Sequence, residues 1–212
     1  MSDDPVTPPV RRPASRPVGG PVQDAVKEAL HQALRESRAG LLAKLDGLGE
    51  HDLRRPLTPT GTNLLGLVKH LVGIELGYLG ESFGRPPAEP LPWYADGSVW
   101  DGADMWATAE ESSAYVADLY ERACAHSDRT VDELGLDAPG SVSWWPEDRR
   151  STDLGTLLVR VLVDTARHAG QADVVRELVD GRGGDDQDSF GDAQEWARYV
   201  ARIAEAAAAF QD

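Results

Sequence analysis

The sequence predicts an all-α fold, an antiparallel four-helix bundle with one extra helix at its C-terminal end. Four long segments carry apolar residues at the three- and four-residue spacing of a helix that is buried on one face. Segments rich in proline and glycine separate these helices, and such short-to-medium connections favour antiparallel neighbours. No stretch shows the alternation of apolar and polar residues that is typical of a half-buried β-strand.

The first 21 residues differ in composition from the rest of the chain. They hold six of the fourteen prolines and no apolar period, which predicts a disordered leader over residues 1–21 and a bundle domain over 22–212. The first helix is predicted over about 24–48, where leucines recur at helical spacing. The stretch "DLRRPLTPTGT" ends it with two prolines and a glycine.

The second helix is predicted to begin with Thr62 or Asn63 as its N-cap and to run to Phe83, before "GRPPAEPLP". A glycine signal, "GRGG", predicts the end of the fourth helix. The predicted ranges of the third, fourth and final helices are about 102–126, 153–180 and 191–210.

Composition and charge exclude several classes of function. The formal net charge of −15 disfavours nucleic acid and anionic membrane surfaces as partners, because both require a basic surface. No stretch approaches the roughly 18 apolar residues of a membrane span, and the N-terminus lacks the apolar core of a secretory signal. The single cysteine, Cys124, excludes an internal disulfide and suits a reducing compartment. The sequence therefore predicts a cytoplasmic protein.

Two of the five histidines lie on apolar helix faces. His70 lies among leucines of the second helix, and His168 lies among apolar residues of the fourth, four residues after Asp164. Burying a carboxylate costs several kcal/mol unless it is paired or bound to a metal. Side chains four residues apart on a helix are close enough to bind the same ion. Helical bundles form metal sites from inward-facing side chains of different helices. His70, Asp164 and His168 are therefore candidate metal ligands.

Spacing alone leaves two alternatives to a metal site. A buried histidine is often a hydrogen-bonded core residue rather than a ligand. The Asp164–His168 pair, at i and i+4, also has the spacing of a simple salt bridge near one end of the bundle.

Three segments resemble the DinB-like superfamily of metalloenzymes: "TNLLGLVKHLVGIELGYLGESFGRP", "DLRRPLTPTGT" and "DTARHAGQADVVRELVDG". The likeness is closest to its actinobacterial branch related to mycothiol-dependent maleylpyruvate isomerase, and it covers roughly residues 24–210. The resemblance implies a bundle of the DinB type with His70, Asp164 and His168 as ligands of a divalent metal. Zinc is the metal most expected, with nickel, iron and manganese as alternatives, and mycothiol is the implied cosubstrate.

The sequence departs from the family pattern at one of these ligands, Asp164, and at Gln171. Asp164 stands where relatives usually carry glutamate or histidine, so its reach is one methylene shorter than that of glutamate. Gln171 stands where close relatives often carry histidine, and it is a candidate substrate-binding residue. These changes leave the three candidate ligands in place.

Further candidates come from the loops. Five of the six tryptophans lie between residues 93 and 145, and a substrate wall is expected from aromatic residues of that region. Trp144 and Trp145 are candidate substrate-binding residues, with a packing lid as the alternative, and Arg149 is a candidate contact for an anionic group, with a solvated surface as the alternative. The expected wall residues are Trp93, Tyr94, Trp100, Trp144 and Trp145.

Glu75 is a candidate catalytic residue because it shares the inward face of the second helix. It is placed to act as a general base near the metal. The alternative is an ion pair across the bundle with Arg160 or Arg167.

The leading functional hypothesis is a metal-dependent enzyme that activates a low-molecular-weight thiol, for S-transfer to a small electrophile or for thiol-assisted isomerisation. One alternative is a metal-dependent hydrolase that uses activated water at the same residues. Another is a non-catalytic helical binding module. Bundles of the resembled family often pair as homodimers, and no surface stripe in the sequence decides this.

Overall fold

The structure, a computed structural model, describes residues 20–182 and 191–211. It confirms the all-α prediction, an antiparallel four-helix bundle with an extra C-terminal helix. Of the predicted leader, residues 1–19 lie outside the described residues. The helices are α1 (Pro21–Ala43), α2 (Glu50–Arg54), α3 (Leu64–Tyr78), α4 (Pro92–Ala95), α5 (Ser113–Glu133), α6 (Leu154–Asp180) and α7 (Ala193–Ala208).

The bundle consists of α1, α3, α5 and α6. Helix α1 packs along α6, and α3 packs against both α5 and α6. Helix α3 is apolar on nearly every side, and its Leu67 and Leu71 are fully buried together with Tyr120 of α5 and Val161 of α6. Burial of each such side chain contributes about 1.5–3 kcal/mol. This packing fixes α3 against α6, the two helices that carry the candidate metal ligands.

The ends of these two helices follow from local side-chain chemistry. Asn63 caps α3 by accepting a hydrogen bond from the Gly66 amide at 2.7 Å, as predicted. Asp153 caps α6 in the same way through the Thr156 amide at 2.8 Å. Helix α6 ends at Gly181, whose φ of 77° is readily adopted by glycine.

Four predicted helix boundaries are wrong by five residues or more. Helix α1 ends at Ala43 rather than near residue 48, and α5 ends at Glu133 rather than near residue 126. Helix α3 ends at Tyr78 rather than Phe83, because the chain tightens into a 3₁₀ turn over Glu81–Phe83 that still packs Phe83 onto the core. Helix α5 begins at Ser113 rather than near residue 102, because Ser112 caps it through the Tyr115 amide at 3.1 Å. Residues 84–112 instead form a long loop with short helical turns that carries Trp93, Tyr94 and Trp100.

A small hairpin corrects the expectation of no β-structure. Pro139–Ser141 (β1) pairs antiparallel with Ser151–Asp153 (β2). Each strand has three residues, too few for an alternating pattern to be visible in the sequence. The hairpin holds Trp144 and Trp145 in its connecting segment.

The C-terminal helix α7 begins with a capping box between Asp192 and Glu195. All of its residues are exposed except Trp196, which is half-buried. In the described ranges, no helix combines the length and apolar character that are needed to cross a membrane.

Candidate metal centre

The structure brings His70, Asp164 and His168 together between α3 and α6. Each offers a ligand atom, and these atoms lie within 4.8 Å of one another. Nε2 of His168 is 3.7 Å from Oδ1 of Asp164, and the two imidazole rings meet edge to face with centroids 5.0 Å apart. All three side chains are partly buried, so the cluster lies at the edge of the core and is open to solutes.

A carboxylate from the long loop fixes the tautomer of His70. Oδ2 of Asp104 lies 2.7 Å from Nδ1 of His70, and Asp104 is only 6% exposed. Because an ionised carboxylate only accepts hydrogen bonds, Nδ1 carries the proton and the lone pair lies on Nε2. Histidine ligands of metal ions are commonly oriented by such a carboxylate.

The side-chain amide of Gln171 fixes the tautomer of His168. Oε1 of Gln171 lies 2.8 Å from Nδ1 of His168, and an amide oxygen also only accepts. Nε2 of His168 therefore carries the lone pair, on the side that faces Asp164. The sequence made Gln171 a candidate for substrate binding, whereas in the structure its side chain contacts His168.

The protonation of His168 suits metal binding. Burial lowers the pKa of His168, and the nearby His70 lowers it further, whereas the hydrogen bond with Gln171 and the charge of Asp164 oppose the shift. A lowered pKa leaves the imidazole neutral at neutral pH, the form that binds metal.

These residues fit a divalent cation. Ligand atoms lie about 2.0–2.2 Å from zinc, so two ligands of one ion are at most about 4.4 Å apart. The 3.7 Å between Nε2 of His168 and Oδ1 of Asp164 is within that span. The three ligand atoms together lie within 4.8 Å of one another, so the set would close by a few tenths of an ångström at most around an ion. Two neutral imidazoles and one carboxylate are a common set for zinc or iron with open coordination positions.

Glu75 lies apart from this cluster. It is fully buried, and both of its oxygens accept hydrogen bonds from Arg38 of α1, at 2.7 Å from Nε and 2.6 Å from Nη2. The geometry favours the ion-pair alternative over a general base. The expected partners were wrong, because Arg160 instead lies over the rings of Tyr78 and Trp145.

A cavity of about 430 Å³ borders His70 and Asp104. Trp144, predicted to bind substrate, lines it. Trp145 packs against Tyr78 instead, with its indole nitrogen 3.4 Å from the Tyr78 hydroxyl. Arg149 is exposed on a short turn and does not line the cavity. Tyr94 and Trp100 contribute to the wall, as expected, whereas Trp93 is buried in the core.

Sequence reasoning missed Asp104, which lies in a stretch predicted as helix. The loop offers three aspartates, Asp96, Asp101 and Asp104, and no spacing rule selects the one that reaches α3. The glycines Gly73 and Gly77 were also missed as cavity residues, although they follow His70 at helical spacing on the same face.

Comparisons with known proteins agree with this architecture. A crystal structure of a conserved protein from Enterococcus faecalis matches with a TM-score of 0.57 at 15% identity, covering 74% of this chain and 98% of that one. That likeness shows a shared fold. No protein of curated function matches. The protein-family model described as Mycothiol-S-transferase matches residues 29–181, most of the chain and both ligand-bearing helices. The chain therefore belongs to the mycothiol-S-transferase family.

Proposed function

We propose that this protein is a divalent-metal-dependent transferase that activates a low-molecular-weight thiol of the mycothiol type. The thiol would be transferred to a small electrophile or would assist its isomerisation. The observation that carries the proposal is the convergence of His70, Asp164 and His168, with both imidazole tautomers fixed, in a chain of a thiol-transferase family.

Each side chain of the cluster has a distinct task. Nε2 of His70, Nε2 of His168 and a carboxylate oxygen of Asp164 would hold the cation. A bound divalent cation stabilises the thiolate form of a thiol at neutral pH. Asp104 and Gln171 keep the proton on Nδ1 of each imidazole and hold the two rings in place.

Two separate openings reach this cluster and suit two different reactants. The cavity beside His70 is lined mainly by aromatic and apolar side chains and suits an apolar electrophile. A shallower cleft on α6 contains Asp164 flanked by Arg160 and Arg167, and these charged side chains suit a hydrophilic thiol.

Metal content and thiol dependence test the proposal together. Protein purified without chelator is expected to carry close to one zinc, nickel, iron or manganese ion per chain. It is expected to form a thioether from mycothiol and 1-chloro-2,4-dinitrobenzene at a rate that follows metal occupancy. Mass spectrometry of the product distinguishes the alternatives. Turnover without thiol would indicate a hydrolase, and occupancy far below one ion per chain, with no gain on adding zinc or nickel, would indicate a binding module. Either result overturns the proposal.

Replacing Asp104 with alanine tests the support of His70. The variant removes the acceptor that fixes the ring, and we expect metal affinity to fall about 10- to 100-fold. Competition with a chromophoric chelator measures this. Asp101→Ala, at an exposed position of the same loop, is the matched control. Equal affinity in the two variants would show that the Asp104–His70 bond has no part in metal binding.

A further inference from the structure

We infer that the cavity beside His70 takes an aromatic electrophile whose far end, away from the reacting atom, is neutral or cationic rather than anionic. This inference rests on the proposed function, because it names the substrate class of the same site. The cavity volume of about 430 Å³ suits a molecule of one or two rings.

The walls favour a flat ring. Tyr78, Tyr94, Trp100 and Trp144 all line the cavity, and the rings of Tyr78 and Trp144 lie 5.3 Å apart at 60°. Aromatic rings attract one another in offset or edge-to-face arrangements at centroid separations of about 4.5–7 Å. A planar ligand that packs against these walls would make several such contacts at once.

Two glycines form the floor of the cavity. A Cβ added to Gly73 would lie 2.5 Å from the Tyr94 hydroxyl, and one added to Gly77 would lie 3.1 Å from the Trp144 ring. Both residues must therefore lack a side chain for the aromatic walls to approach α3 so closely. The Tyr94 and Trp144 rings therefore pack directly against α3, and a ligand in the cavity would lie beside these rings.

The cavity extends along α3, away from the metal ligands. With a rise of 1.5 Å per residue, Tyr78 lies about 12 Å along the axis from His70. Glu81, just beyond Tyr78, also lines the cavity. The charge of a metal ion would therefore act at one end of the cavity, and the Glu81 carboxylate acts at the other.

The charged residues that line the cavity decide which ligand charge is preferred. Among the described residues that line the cavity, Glu81 and Asp104 are acidic, and no lysine or arginine is present. Burial raises the pKa of Tyr94 to about 12, so its hydroxyl stays uncharged. An anionic group at the Glu81 end would meet a like charge without a basic partner, whereas a neutral or cationic group would not.

Binding of three ring-matched probes tests this inference without any reaction. The probes are 2-naphthylmethanol, 2-naphthoate and (2-naphthylmethyl)trimethylammonium, titrated calorimetrically into the full chain without thiol, both metal-loaded and metal-free. The neutral and cationic probes are expected to bind about tenfold more tightly than naphthoate to the metal-free protein. Naphthoate binding as tightly as the other two in that state would overturn the inference. Because no thiol or turnover is involved, this failure is distinguishable from failure of the proposed function.

Variants locate the site of binding. Trp144→Ala is expected to weaken the binding of all three probes about tenfold. Trp106 is an exposed tryptophan outside the cavity, and Trp106→Ala is expected to leave the binding of all three probes unchanged. Glu81→Gln is expected to leave binding of the neutral probe unchanged and to improve naphthoate binding, so that the difference between these two probes becomes smaller. Equal effects of Trp144→Ala and Trp106→Ala, or an unchanged difference between these two probes in Glu81→Gln, would contradict the assignment.

Discussion

Replacement of His168 with alanine is expected to abolish metal retention while helical content stays that of the parent chain. The substitution removes one of three donors and leaves only His70 and Asp164 to hold the ion. The fold should persist, because the His168 side chain is only partly buried, and the core of α6 is built by fully buried residues such as Leu157 and Val161. Elemental analysis measures metal per chain, and far-ultraviolet circular dichroism measures helix content.

His51→Ala is the matched histidine control. His51 lies on the short helix α2 with its side chain 86% exposed, and its replacement should leave metal content unchanged. If His168→Ala retained as much metal as His51→Ala, the proposed ligand set would be wrong.

Replacement of Arg38 with methionine is expected to lower the free energy of unfolding by about 3–5 kcal/mol. The variant leaves the fully buried Glu75 carboxylate without its counter-charge. It also removes the 2.6 Å hydrogen bond that Arg38 donates to Asp128 of α5. Since domains of this size are stable by only about 5–15 kcal/mol, the loss is a large part of the total. Urea denaturation followed by circular dichroism measures it.

Arg35→Met provides the comparison on the same helix. The Arg35 side chain is 39% exposed, and its nitrogens lie 3.8 Å from carboxylate oxygens of Asp128 and Asp132. Pairs of this kind contribute up to about 1 kcal/mol. Similar losses in Arg38→Met and Arg35→Met would show that the Arg38–Glu75 pair is not stabilising the bundle. Restoration of stability in Arg38→Met with Glu75→Met would show that the cost is the uncompensated charge.

The helices were predictable because their signals are local. Apolar spacing, the Asn63 cap and the glycine at 181 each act within a few residues, and the structure has all three. The start of α5 was not predictable from spacing, because Trp106 and Ala109 continue a helical period through a stretch that forms a loop. That loop is held by contacts distant in sequence, such as the hydrogen bond from Lys69 to the Trp106 carbonyl.

The difference between local signals and contacts distant in sequence also separates the predicted from the unpredicted residues of the site. Asp164 and His168 are one helical turn apart, and His70 was paired with them because both histidines lie on apolar faces of helices predicted to pack in one bundle. Asp104 is 34 residues from His70, and Arg38 is 37 residues from Glu75. Their positions depend on how a loop and a helix pack against α3, which no local pattern encodes.

One continuous loop supplies both Asp104, the hydrogen-bond partner of His70, and half of the aromatic wall of the cavity. It carries Tyr94, Trp100 and Asp104, and the Asn63 side chain holds it against α3 through the Met105 carbonyl at 3.0 Å. A ligand that packs on Tyr94 and Trp100 stabilises the same loop that holds Asp104 against His70, so we expect occupancy of the cavity and of the ion site to be cooperative. Thermodynamic reciprocity then requires each to tighten the other by the same factor, and the protein would assemble its reactants in concert rather than independently.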